Sequence, residues 1–115
     1  EAIAPHVAEA QRTYPVAKEK FLAGLPDGQS FFLTTRLYDD SGKFEQVFIA
    51  VRSIEKGLVS GRVWSEISRV QGYKHGDDYT FAETELMDWL ITHPDGSEEG
   101  NYVGKYLDSL YRGGT

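Results

Sequence analysis

The chain has 115 residues, of which 40% are apolar and 13% aromatic, and this is enough to build the core of one domain. It has no cysteine, which excludes disulfides, thiolate zinc sites and cysteine nucleophiles. No apolar run approaches the ~18 residues that a membrane span needs, so we expect no membrane insertion. We predict a single domain over residues 1–115, with flexible termini at 1–6 and 113–115.

The net charge of −6 is unevenly distributed. Residues 1–74 carry ten basic and nine acidic side chains, whereas residues 75–104 carry eight acidic side chains and no lysine or arginine. Nucleic acids and anionic membranes bind to basic patches, so neither is expected as the main partner. The acidic stretch 75–104 indicates a basic protein partner or a cation instead.

The first predicted elements are helical. Apolar residues recur at helical spacing between Ile3 and Gly24, and Pro15 interrupts the pattern. Thr13 is a suitable N-cap for a second helix that has Pro15 in its first turn. We therefore predict either two short helices or one helix kinked at Pro15, with a stop at Gly24.

Three strands with short connections are predicted next, at Ser30–Tyr38, Phe44–Ile54 and Leu58–Trp64. In the first strand the side chains alternate between two faces, with Phe31, Leu33, Thr35 and Leu37 on one and Phe32, Thr34, Arg36 and Tyr38 on the other. The connections at Asp39–Gly42 and Glu55–Gly57 are tight turns. Such short connections predict an antiparallel meander.

The middle of the chain is less regular. Residues 65–73 show no periodicity, and a strand is predicted at Tyr79–Ala82. The segment Thr84–Ile91 fits either a helix capped by Thr84 or a strand. We favour a helical turn at Glu83–Leu86 followed by a strand at Asp88–Thr92, which the turn at Pro94–Gly96 closes.

The last element is an amphipathic helix, whose apolar stripe consists of Tyr102, Val103, Tyr106, Leu107, Leu110 and Tyr111. Asn101 can cap its start, Glu98 and Glu99 suit the positive end of its dipole, and Arg112 suits the negative end. This helix is expected to pack on the sheet. The fold class is therefore α+β, with an antiparallel sheet of about five strands.

Several short motifs resemble the YegJ-like family of bacterial domains of unknown function 2314. They are a Lys-x-Gly-Asp turn, an aromatic strand residue, an Asp-Trp pair and a late Gly-x-Tyr, formed here by Lys74, Gly76 and Asp77, by Phe81, by Asp88 and Trp89, and by Gly100 and Tyr102. The resemblance covers roughly residues 7–110. It implies a small, mostly β domain, often secreted, and it implies no established activity and no catalytic residues.

Two histidines lie beside carboxylates: His75 before Asp77 and Asp78, and His93 before Asp95. They could form a metal site or an acid–base pair, or they could be solvated residues of turns, which we favour because no H-x-x-x-H or H-E-x-x-H spacing exists. The sequence Asp-Gly-Ser-Glu-Glu at 95–99 lacks the alternating carboxylates of an EF-hand loop. No cofactor or metal is expected.

Enzymatic motifs are also missing. No serine lies in a G-x-S-x-G elbow, and the glycines form no phosphate loop. A pair such as Glu83 and Asp88 could serve acid–base chemistry if it were buried. Because Asp88 interrupts an apolar run, we favour a structural role in which it binds backbone groups and orients Trp89.

The favoured hypothesis is a non-catalytic protein-binding or inhibitory module, exported to the periplasm or secreted, although a cytoplasmic location stays open. Its candidate contact surface combines acidic and aromatic residues, namely Asp77, Asp78, Glu83, Glu85, Asp88, Trp89, Trp64, Tyr73 and Tyr102. The alternatives are a small hydrolase or metal-dependent enzyme that uses His75 or His93, and a structural component of the cell envelope. For the aromatic residues themselves, a place in the core is the simpler expectation.

Overall fold

The computed structural model describes residues 2–113, which form an α+β fold of two helices and six strands. The helices are α1 (Ala4–Ala23) and α2 (Tyr102–Gly113). The strands are β1 (Ser30–Tyr38), β2 (Phe44–Glu55), β3 (Leu58–Val63), β4 (Asp78–Ala82), β5 (Asp88–Thr92) and β6 (Glu98–Gly100). They form one antiparallel sheet in the order β4-β3-β2-β1-β5-β6. Glu1 and residues 114 and 115, which belong to the predicted flexible termini, lie outside the described residues.

Helix α1 is one element of 20 residues that continues through Pro15, so of the two predicted alternatives the single helix is observed and the pair of short helices is not. A proline removes one backbone hydrogen bond from a helix. Ala10, Tyr14 and Ala17 are buried on both sides of this position, and their burial holds the two halves together. Thr13 is not a cap, because its hydroxyl donates to the carbonyl oxygen of Glu9 at 3.0 Å inside the helix.

The chain divides into two compact units. One consists of residues 1–31 and 87–115 and contains α1, β5, β6 and α2; we call it the helical unit. The other consists of Phe32–Leu86 and contains β2, β3, β4 and most of β1; we call it the strand unit. The single-domain interpretation of residues 1–115 stays a prediction.

The strand unit is the predicted antiparallel meander. β1 pairs with β2 from Phe32 opposite Ala50 to Tyr38 opposite Phe44, and β2, β3 and β4 follow as successive antiparallel neighbours. One sheet face is core, with fully buried Leu33, Leu37, Val47, Ile49, Val59 and Val63. A 3₁₀ turn at Glu83–Glu85 follows β4, in agreement with the predicted helical turn.

In the helical unit, α1 and α2 both contact β5. β5 has the predicted bounds and pairs with β6, from Leu90 opposite Gly100 to Thr92 opposite Glu98. β6 is the strand that raises the count from about five to six. Glu98 and Glu99 therefore belong to a strand, and they do not lie in the first turn of α2.

Candidate functional site

Asp88 begins β5 and is only 1% exposed, although it is a carboxylate. Its Oδ1 accepts hydrogen bonds from the backbone N–H groups of Trp89 at 2.9 Å and Tyr102 at 3.1 Å, and its Oδ2 accepts one from Val103 at 2.8 Å. Tyr102 and Val103 open α2, whose first N–H groups have no partner within the helix. Asp88 therefore caps α2 from another element. Asn101, the cap expected from the sequence, has a positive φ of 58° and donates through its side chain to Glu98, while Asp88 accepts from the first two N–H groups of the helix.

Burial raises the pKa of the Asp88 carboxyl, and the N–H donors of Val103, Trp89 and Tyr102 oppose that rise. A raised pKa can mark a general acid. Here, however, both oxygens are already occupied by backbone donors, and neither is directed at solvent. The structural interpretation of Asp88 therefore fits the geometry, and its place on a contact surface stays a prediction.

Trp89 is 7% exposed and is fixed on three sides within the helical unit. Its indole N–H donates to the Thr13 hydroxyl at 2.9 Å, and its carbonyl oxygen accepts from the N–H of Asn101 at 2.6 Å. A Cβ at Gly100 would lie 2.4 Å from that carbonyl oxygen, so only glycine fits there. The ring of Tyr102 packs edge-on against Trp89 at 6.1 Å. The Asp-Trp and Gly-x-Tyr motifs thus pack against each other, and Trp89 is buried among them. Its role as a contact residue stays a prediction.

The two candidate histidines have different surroundings. His93 Nε2 lies 2.7 Å from Glu99 Oε2, and Glu99 Oε1 accepts from Lys20 Nζ at 2.7 Å, which lowers the pKa of Glu99 through Lys20 first and His93 second. This row of three links α1, β6 and the residue that follows β5. The His75 ring instead packs on Trp64, with 4.6 Å between centroids. Within residues 2–113, no three His, Asp or Glu side chains come together where they could hold a metal ion.

Several carboxylates of the acidic stretch serve local structure. Asp77 accepts the backbone N–H of Lys74 at 3.0 Å and closes the turn that carries the Lys-x-Gly-Asp motif. Asp95 likewise accepts the backbone N–H and the hydroxyl of Ser97. Asp78 lies 3.6 Å from Arg52 and 3.8 Å from Arg62, in exposed ion pairs of small energetic value. The 3₁₀ turn carries the half-buried Glu83 and the exposed Glu85. The negative charge of the stretch is therefore partly neutralised on the protein itself.

The strand unit exposes large aromatic side chains on the sheet face opposite its core. Cross-strand partners share a face, and Tyr38 lies opposite Phe44 with 5.8 Å between ring centroids. Phe32 and Phe48 meet edge-on at 6.3 Å, and the Arg36 guanidinium lies 4.4 Å from the Phe44 ring centroid.

Trp64 extends this face by one residue beyond β3. Its N–H donates to the Phe48 carbonyl at 2.8 Å, which continues the pairing and places Trp64 on the side of Phe48. Exposed fractions are 57% for Tyr38, 47% for Trp64 and 38% for Phe44. We call this surface the aromatic face; it consists of Phe32, Arg36, Tyr38, Phe44, Phe48 and Trp64.

The irregular segment 65–73 is held in place by two carboxylates. Glu45 accepts the backbone N–H groups of Ser68, Arg69 and Val70 at 2.7–3.2 Å, which lowers its pKa, with the Arg69 N–H as the largest contributor. Asp39 Oδ2 accepts the N–H of Gln71 at 3.0 Å. Three consecutive N–H groups directed at one carboxylate fix the backbone without regular structure. The segment is irregular, as predicted, but well defined.

Next to this segment lies an open groove of about 770 Å³. Its lining combines the end of β1 and the following turn with the end of the irregular segment, and consists of Tyr38, Asp39, Asp40, Ser41, Gln71, Gly72 and Tyr73. The Tyr73 hydroxyl donates to the Tyr38 carbonyl at 3.1 Å and so fixes one wall against the other. Tyr73, predicted as a contact residue, therefore lies in a surface depression.

Of the predicted site residues, the structure places Asp88, Trp89 and Tyr102 together in the helical unit, and Asp77, Asp78, Glu83, Glu85, Trp64 and Tyr73 in the strand unit. Sequence reasoning missed Tyr38, Phe44, Asp40 and Glu45. A signal was present for Tyr38, since strand alternation places it on the face opposite Leu33 and Leu37. No local signal exists for Glu45, because its partners lie 23–25 residues away.

The fold and its motifs define a small α+β protein that exposes aromatic side chains on one face of its sheet. The chain matches, over residues 2–111, the family described as an uncharacterized protein conserved in bacteria (DUF2314), and it belongs to that family. The resemblance inferred from the motifs is thereby confirmed. No curated protein and no solved structure matches the chain. Neither helix within residues 2–113 is long and apolar enough to cross a membrane.

Proposed function

We propose that this protein is a non-catalytic binding module that recognises a protein partner through the aromatic face. The observation that carries the proposal is the exposure of Tyr38, Phe44 and Trp64 on one face of a paired sheet. Tryptophan, tyrosine and arginine are the residues that most often dominate binding energy at protein interfaces. Single exposed apolar residues are ordinary, but several on one face indicate an interaction surface.

Rigidity further supports the proposal. The aromatic face is the reverse side of a sheet whose other side is packed with fully buried Leu33, Ile49 and Val63. Side chains that are already ordered lose little entropy on binding, so more of the contact energy appears as affinity. Arg36 adds a cation stacked on Phe44, a type of group that is common at the centre of interfaces.

We further propose that the partner carries basic side chains. The protein has a net charge of −6, and Tyr38 of the aromatic face also lines the groove that carries Asp39 and Asp40. Charge at a rim mainly changes the association rate, whereas buried aromatic contacts change the dissociation rate.

The test begins with capture of a partner on the immobilised protein and its identification by mass spectrometry. The purified partner is then titrated calorimetrically against the wild type, Trp64→Ala, Leu110→Ala and the double variant Glu83→Gln/Glu85→Gln. Leu110 is the matched control, because it is an exposed apolar residue of α2. We expect Trp64→Ala to weaken binding by about 30-fold and Leu110→Ala to leave it nearly unchanged.

Equal affinity of Trp64→Ala and the wild type would overturn the role of the aromatic face. Loss of binding in the glutamate double variant alone would assign the contact to the acidic stretch instead. Circular dichroism of each variant shows whether the fold persists. We expect it to persist in Trp64→Ala, because Trp64 is exposed.

A further inference from the structure

The groove beside the aromatic face has its own chemistry. Tyrosine rings stand on both contributing segments, at Tyr38 and Tyr73, and the carboxylates of Asp39 and Asp40 lie in the turn between β1 and β2. None of the described residues that line the groove is lysine or arginine. The groove therefore offers aromatic faces and negative charge, without a basic side chain among its lining residues to neutralise it.

The negative charge at Asp39 is fixed by hydrogen bonds. Its Oδ1 accepts from the hydroxyl and backbone N–H of Ser41 at 2.5 and 2.9 Å, and its Oδ2 accepts from the N–H of Gln71. The Ser41 hydroxyl and then the Gln71 N–H lower the pKa of Asp39, so it is ionised across the neutral range. Because Asp39 is committed to the turn, a ligand would contact the exposed Asp40 directly.

We propose that the groove holds a basic side chain, best an arginine, of the partner protein. A guanidinium is planar, stacks on aromatic rings and binds a carboxylate with two parallel hydrogen bonds, so it can use Tyr38 or Tyr73 together with Asp40. This inference rests on the proposed function and names the chemistry of the partner. It requires no reorganisation of the groove, because the Tyr73 hydroxyl already fixes the two segments at 3.1 Å.

The test uses small probes and needs no partner. ¹⁵N-labelled protein is titrated with N-acetyl-arginine amide and, in parallel, with N-acetyl-citrulline amide, which has nearly the same shape but no charge. We expect the arginine probe to shift the backbone amide resonances of residues 38–41 and 71–73, with a dissociation constant on the order of 10 mM. The citrulline probe should bind about tenfold more weakly, because it lacks the charge-assisted bond.

Two variants locate the site. Asp40→Asn keeps the shape of the side chain and should weaken arginine binding by about tenfold. Glu55→Gln removes an exposed carboxylate at the end of β2, outside the lining of the groove, and should leave binding unchanged.

Equal shifts from arginine and citrulline, shifts only from a neutral sugar such as N-acetylglucosamine, or no shifts at residues 38–41 would each overturn this inference. Any of these results leaves the aromatic face intact as a proposal, since that depends on partner binding by Trp64. Conversely, arginine binding in the groove together with unchanged partner affinity of Trp64→Ala would remove the aromatic face and keep the groove.

Discussion

Asp88 and Asp39 accept the same kind of hydrogen bond, yet their pKa values shift in opposite directions. Each carboxylate binds backbone N–H groups from distant segments. Asp88 is buried in the helical unit, and the loss of hydration raises its pKa; Asp39 stays partly exposed in the strand unit, and its donors lower its pKa. The degree of hydration thus decides whether the pKa of such a carboxylate rises or falls. Asp88 of the helical unit thus acts in the interior, whereas the strand unit leaves Asp40 and the rings of Tyr38 and Trp64 at its surface.

The largest effect on stability is expected when Asp88 is removed. In Asp88→Ala the N–H groups of Tyr102 and Val103 lose their acceptor in a buried place, and we expect a loss of about 3–4 kcal/mol in the free energy of unfolding. Urea denaturation followed by tryptophan fluorescence measures it. Asp88→Asn retains one acceptor and should lose about half as much. A loss below that of an ordinary surface substitution would show that water replaces the carboxylate.

Glycine substitutions compare the two units at two positions with similar positive φ. Gly100 and Gly72 have φ values of 78° and 89°, but only Gly100 lies where a Cβ would meet the Trp89 backbone at 2.4 Å. Gly72→Ala should lose about 1 kcal/mol from backbone strain, and Gly100→Ala about 3 kcal/mol from strain plus the clash. Thermal and urea unfolding of both variants provide the measurement. Equal losses would mean that the close approach of Gly100 to Trp89 is unimportant.

The segment 65–73 should loosen locally when Glu45 is changed. Glu45→Gln replaces a charged acceptor by a neutral one, and amide hydrogen exchange at Ser68, Arg69 and Val70 should accelerate by about tenfold. Exchange in the helical unit should not change. If the three amides stay as protected as in the wild type, the Glu45 carboxylate does not hold this segment.

The smallest expected effect is on the pH dependence of stability in the Glu45 and Asp88 variants. Glu45 has a lowered pKa, so its contribution is present above the unfolded value of about 4.3 and is lost as the pH falls through the folded pKa. Asp88 has a raised pKa, so its contribution is complete below the unfolded value of about 3.9 and is lost as the pH rises through the folded pKa.

We call the free energy of unfolding that a variant loses relative to the wild type its deficit. The deficits of the two variants should therefore change in opposite directions as the pH falls from 7 to 3. The deficit of Glu45→Gln should shrink, and that of Asp88→Asn should grow. Urea titrations at several pH values would show in which direction each deficit changes. If both deficits changed in the same direction, hydration would not decide the direction of the two pKa shifts.

Elements governed by local pattern were predictable from the sequence. The meander follows from alternation and tight turns, and β5 was predicted with its observed bounds. β6 was missed, because Glu98 and Glu99 carry no strand signal and the strand is specified only by pairing with β5. The cap of α2 was assigned to neighbouring Asn101, whereas the real acceptor is 14 residues upstream. Contacts between residues that lie this far apart in the chain produce no recognisable pattern in the sequence around either residue.

The candidate site was predictable only in part, for the same reason. Trp64 and Trp89 are the same residue type, each in or beside a strand, yet one is exposed and the other is buried. Trp89 is covered by α1 through Thr13 and by Gly100, and neither contact can be derived from its sequence neighbours. The groove likewise depends on Glu45 and Asp39 reaching the segment 65–73.

The cap that Asp88 provides to α2 also has a consequence for how the chain folds. A helix of 12 residues is marginal in water by itself, because nucleation is costly and its first N–H groups are unsatisfied. The acceptor for those groups becomes available only when β5 has brought Asp88 to the start of the helix. We therefore expect strand and helix to order together, with α2 forming as part of a cooperative unit and not as an independent nucleus.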